Sequence, residues 1–151
     1  MKKIMIIIFA IISIAMAPNL QSGLKLSDAA IERTAHHIRY KSGYIKLEYP
    51  NGDVPEGTGV CTDLIVRSYR NGLGIDLQKL IHEDMKANFE QYPSKRLWGA
   101  SGPDKNIDHR RTQNQECFLK RMGGELSITN NPGDYKPGDL VYWGDIATGH
   151  V

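Results

Sequence analysis

Apolar residues recur at helical spacing in four stretches of this chain. In "LSDAAIERTAHHIRYKSGY", Ile31, Ala35 and Ile38 mark one face, Ser27 or Asp28 can cap the start, and Gly43 ends the run. "YIKLEYPNGDVPEGTG" alternates briefly and then meets Pro, Asn, Gly and Asp in quick succession, so it reads as a strand or extended arm leading into a loop. "GVCTDLIVRSYRNGLG" returns to a helical stripe at Leu64, Ile65 and Tyr69, with Cys61 in its first turn and Gly74 at its stop. "DLQKLIHEDMKANFEQY" is more strongly periodic, through Leu77, Leu80, Ile81, Met85 and Phe89, and Pro93 ends it. After a Gly- and Asp-rich loop, a further helix is expected over 111–121, stopped by Gly123 and Gly124.

The remainder reads as strand and turn. A short strand begins near Glu125, Lys136 to Asp139 forms a tight turn, "DLVYW" is a strand run, and His150 and Val151 open another strand. Helices first and strands after predict an α+β domain with helices packed on a small antiparallel sheet. The 151 residues suffice for one domain over 18–151. The sequence stops as a strand begins, so the domain is read as truncated at the C-terminus, with its last strands missing.

The first 17 residues stand apart. "MKKIMIIIFAIISIAMA" places two lysines before an apolar run that ends in Ala15-x-Ala17, the layout of a secretory signal. The run is short for a membrane span. Pro18 would follow the cut directly, so an uncleaved N-terminal anchor is the alternative. Export to the periplasm or beyond is expected, with this segment engaging the membrane on the way. The charge balance changes with it. The formal +2 comes from 19 basic and 17 acidic residues, and loss of Lys2 and Lys3 leaves 17 of each. A nucleic-acid partner calls for a basic excess that such a chain lacks.

Cys61 and Cys117 are the only cysteines. In an exported protein they could pair as a disulfide. Cys61 could equally join the core beside Leu64 and Ile65. A third possibility follows from its place in a helix's first turn, where free backbone N–H groups and the positive dipole end favour thiolate, the nucleophilic form. Such a nucleophile needs a base, and His150, set between Gly149 and Val151, is the candidate.

A cysteine opening a helix, intervening helices, then "KPGDLVYW", a turn and "GHV" resembles the NlpC-like cysteine peptidases of bacterial cell walls, a papain-like group. The resemblance implies Cys61 as nucleophile and His150 as base. It also implies that a third polar residue orients the histidine, and that residue would lie beyond Val151. Over residues 28–151 the strings around Cys61, "HEDM", "NIDHRR" and "YKPGDLVYW" look like those of a bacterial family catalogued as a domain of unknown function and grouped with the papain-like clan. The expectation is an exported cysteine hydrolase that cleaves an amide bond in peptidoglycan stem peptides or a similar small peptide. The alternative is a non-catalytic envelope module that binds wall peptides.

Two polar strings complete the candidate site. Asp108, His109, Arg110 and Arg111 open a helix and could form a substrate-binding rim, with arginines pairing to peptide carboxylates. His82 and Asp84 lie on the polar face of an amphipathic helix and are further binding candidates. Asp63 reads as a helix-start anchor, because a carboxylate beside a thiolate opposes its ionisation. No metal motif such as H-E-x-x-H or CxxC is present, and no cofactor is expected.

Overall fold

The computed structural model describes residues 20–144 and 149–151. The signal-like segment and most of the "GDIATG" turn lie outside them. Among the described residues, no helix is long and apolar enough to cross a membrane.

The architecture is α+β. The described residues form five α-helices, α1 (Leu20–Glu32), α2 (Cys61–Leu73), α3 (Leu77–Asn88), α4 (Ser94–Trp98) and α5 (Thr112–Arg121), with two short strands, β1 (Arg39–Tyr40) and β2 (Thr58–Gly59). Helix α1 begins and ends earlier than its periodicity predicts. It gives way to a 3-10 turn at Arg33–Ala35, so Ser27 and Asp28 lie inside it and Gly43 is not its stop. Its buried positions are Gly23 and Leu26, whereas Ile31 and Ile38 are exposed.

The sheet differs from the expected antiparallel one. β1 and β2 pair in parallel, Arg39 with Thr58 and Tyr40 with Gly59. Parallel strands need a long crossover, and residues 41–57 supply it. That crossover is held by side chains rather than by a ladder. Arg67 of α2 donates from Nε to both carboxylate oxygens of Asp53 (3.1 and 2.9 Å) and from its terminal nitrogens to the carbonyls of Thr58 and Val54. Gln78, fully buried, accepts from the Gly52 amide and donates to the carbonyls of Glu48 and Lys105. No strand forms near Glu125. In "DLVYW" only Trp143 pairs, in a single antiparallel bridge with His150.

α2 and α3 form where the pattern placed them. Gly74 takes the left-handed conformation (φ 68°) that stops α2, and Asp76 caps α3 by accepting from the Gln78 amide. The core joins Leu26, Ile65, Val66, Tyr69, Leu77, Ile81, Met85, Tyr92 and Phe118, and Leu140 and Val151 pack onto it. The Lys136–Asp139 turn of "KPGDLV" is therefore seated, not loose. A β-carbon on Gly23 would collide with the Pro137 carbonyl oxygen, so α1 and that turn touch backbone to backbone.

Candidate active site

Cys61 is the first residue of α2, after an extended Val60. Asp63 fixes this helix start by accepting the Val60 amide at 2.8 Å. Arg110 locks the same carboxylate from the other side, Nε to Oδ1 at 2.8 Å and Nη2 to Oδ2 at 3.0 Å. Its remaining nitrogen donates to the Gly43 carbonyl. The first amides of a helix have no partner within it, and Cys61 stands at that end.

A polar side chain of α5 meets the thiol. Thr112 Oγ1 lies 4.0 Å from Cys61 Sγ and donates its proton to the Gly149 carbonyl at 3.1 Å. The hydroxyl thus turns its lone pairs to the sulfur and its proton to the residue before His150. His150 is held further by its two-bond bridge to Trp143 (3.0 and 2.8 Å) and by edge-on packing of its ring against the Trp143 indole, centroids 4.9 Å apart. Beneath the helix start, Gln115 Nε2 donates to the carbonyls of Thr62 and His109, and its Oε1 accepts from the Tyr142 hydroxyl at 3.4 Å. Burial drives the Tyr142 pKa far up, and the nearby Tyr69, Glu116 and Cys61 act in the same direction.

Both cysteines are free thiols, so they form no disulfide with each other. Cys117 lies on α5 with Sγ 3.4 Å from the Gln91 carbonyl, and burial raises its pKa.

Within "NIDHRR", three of the four charged positions expected to form a rim lie inside the protein, and Arg111 is half-buried. Asp108, His109 and Arg110 are all buried, in a 3-10 turn that packs against α3 and α5. Burial pushes Asp108 up to about 6, against the Asp104 amide and the Arg111 charge. Burial also pushes His109 down to about 4, and its Nδ1 has no partner among the described residues. Arg111 is the more accessible of the two arginines. It stacks over the Trp98 ring at 4.1 Å and lies 3.4 Å from Asp108.

His82 and Asp84 are separate from the thiol and from each other. The His82 ring packs edge-on to Tyr49, and burial lowers its pKa. Asp84 ties α3 to α5 through Arg121 (2.7 and 3.1 Å) and accepts from Tyr92 at 2.6 Å. Burial opposes its charge, but the bonds from Arg121, Tyr92 and Asn88 outweigh that and hold its carboxyl below the ordinary value. The structure therefore links Cys61 to Gly149 through Thr112, keeps the contacts of His150 with Trp143, and gives Asp84 and Arg110 ion pairs with Arg121 and Asp63. Sequence reasoning passed over Thr112, Gln115 and Tyr142. The available signal was polar residues at the core-facing positions of α5, where Thr112, Asn114 and Gln115 are buried beside Phe118.

A model described as "Domain of unknown function (DUF1287)" matches residues 27–151. The chain belongs to that family. It is similar to the protein of Escherichia coli (strain K12) named "Uncharacterized protein YijF", 43% identical over 122 residues. That alignment covers 81% of this chain and 58% of the E. coli protein, so the chain spans less than two thirds of that relative's length. No solved structure matches. Neither match carries a papain-like or NlpC-like description.

Proposed function

We propose that this DUF1287 domain is an exported cysteine hydrolase of the NlpC-like, papain-like kind, acting on an amide bond in peptidoglycan stem peptides. Cys61 is its nucleophile and His150 its base. One observation supports the reading above the others. The Thr112 hydroxyl connects the Cys61 sulfur to the carbonyl of Gly149, so a helix-opening thiol and the histidine's segment meet across residues 61 to 150. In this scheme Cys61 attacks the scissile carbonyl, and His150 takes the thiol proton and returns it to the leaving amine as the C–N bond breaks; water, deprotonated by His150, then cleaves the thioester and restores the thiol. The free amides at the start of α2 hold the oxyanion.

Purified peptidoglycan tests this directly. The unaltered protein is expected to release peptide-bearing fragments, and Cys61→Ala and His150→Ala to lower the rate by a factor on the order of 10³ or more. Equal release by Cys61→Ala would sink the proposal.

A second reading, a non-catalytic envelope module that holds wall peptides, draws support from the His150 ring, which packs against Trp143. Iodoacetamide separates the two. A Cys61 that resists alkylation in the folded protein at neutral pH favours the binding module.

A further inference from the structure

A cavity of about 630 Å³ opens between the Phe89–Gln91 turn, α4 and one face of α5. On α5 its lining falls at Gln113, Glu116, Cys117 and Lys120, the spacing of a single helical face. This face begins beside the thiol's neighbour Thr112. It also begins against the histidine's segment: a β-carbon on Gly149 would stand 2.8 Å from the Gln113 amide nitrogen. The groove therefore runs along α5 from Gln113, the residue that abuts Gly149.

Its lining is part apolar, through Pro93 and Leu97, and its charge is unbalanced. Lys95 pairs with Glu90 at 3.3 Å, Lys120 with Glu116 at 3.0 Å, and Arg121 with Asp84 at 2.7 Å. Arg96 also lines the groove and makes no ion pair among the described residues. A spare guanidinium beside an apolar strip suits a ligand with a carboxylate and a short aliphatic body, because arginine binds carboxylates through a planar, two-pronged donor face.

We propose that this groove binds a short acidic peptide, with Arg96 meeting its free carboxylate and Pro93 and Leu97 meeting its apolar part. The groove's use as the substrate's docking channel rests on the Cys61 and His150 reading. The binding does not.

The probe is the tripeptide Ala-Glu-Ala, with the same tripeptide amidated at both carboxyls as control. Binding is measured on the Cys61→Ala protein, where turnover cannot interfere. The free acid is expected to bind about tenfold more tightly than the amide, as one charge-assisted contact gives. Arg96→Glu should abolish the difference and Arg96→Lys should retain most of it. Saturating acid should also slow maleimide labelling of Cys117, whose thiol lines the groove. Equal binding of acid and amide, or Cys117 labelling unchanged by the acid, overturns the assignment. Wall digestion that survives Cys61→Ala while the acid still binds condemns only the catalytic reading. Digestion that needs Cys61, with no preference for the acid, condemns only the groove.

Discussion

Arg110 and Asp63, 47 positions apart in sequence, form a two-bond ion pair at 2.8 and 3.0 Å with both side chains almost sealed from solvent. The pair clamps the start of the cysteine helix to the Asp108–Arg110 turn. Removing one partner leaves an uncompensated buried charge, which costs about 3–5 kcal/mol. Arg110→Met is therefore expected to lower stability by that order in urea unfolding. Arg110→Met with Asp63→Leu should cost distinctly less, since no charge is stranded. Equal losses in the single and double variants would mean that the pair is not the clamp.

Thr112 gives a second, more local expectation. Its hydroxyl fastens Gly149 to α5, and loss of one such bond costs about 1 kcal/mol, close to a fivefold to tenfold change in a local opening equilibrium. Thr112→Val should speed hydrogen exchange at the His150 amide, which donates to Trp143, by about that factor. Thr112→Ser keeps the hydroxyl and should exchange as the unaltered protein does. Slow exchange in Thr112→Val would show that the Trp143 bridge needs no help from α5.

Two neighbouring residues should respond to acid in opposite directions. Burial lowers His109 from 6.5 to about 4, with Asp63 and Asp76 opposing and Arg110 and Arg70 assisting. Between those values the unfolded chain binds a proton that the folded one refuses, so stability falls as pH falls. Burial raises Asp108 from 3.8 to about 6. Between those values the folded chain holds the extra proton, so stability rises as pH falls. At pH 4.5 each effect amounts to about 2 kcal/mol relative to pH 7, and they offset one another. Denaturant titrations at the two pH values should show Asp108→Asn losing that amount on acidification and His109→Gln gaining it. Parallel responses in the two variants would refute the assignment.

The sequence made α2 and α3 legible because their information is local. Ile65 and Tyr69, and Ile81 and Met85, repeat at helical spacing, and Gly74 and Asp76 punctuate them. The region 36–57 was not legible in the same way. Its shape depends on Arg67, Gln78 and Asn106 reaching it from elsewhere, the last by accepting the Leu47 amide. The parallel pairing of β1 and β2 likewise joins strands whose two-residue lengths carry no period. The burial within "NIDHRR" was not legible, for a physical reason. A charged string that opens a helix reads as a binding rim, yet Arg110 is neutralised by Asp63 and so lies inside. The Cys61 position at a helix start was readable; its link to Gly149 through Thr112 was not, because it requires α5 to cross between them.

The contact between Gly23 and the Pro137–Gly138 turn bears on where this domain begins. The family match starts at residue 27, yet Gly23 lies before it and forms the seat of the turn that leads to Trp143 and His150. A polypeptide started at residue 27 would keep every candidate catalytic group and lose the surface on which the histidine's arm rests. The folded unit thus begins ahead of its recognisable signature, in a helix that gives Leu26 to the core and bare backbone at Gly23 to the turn.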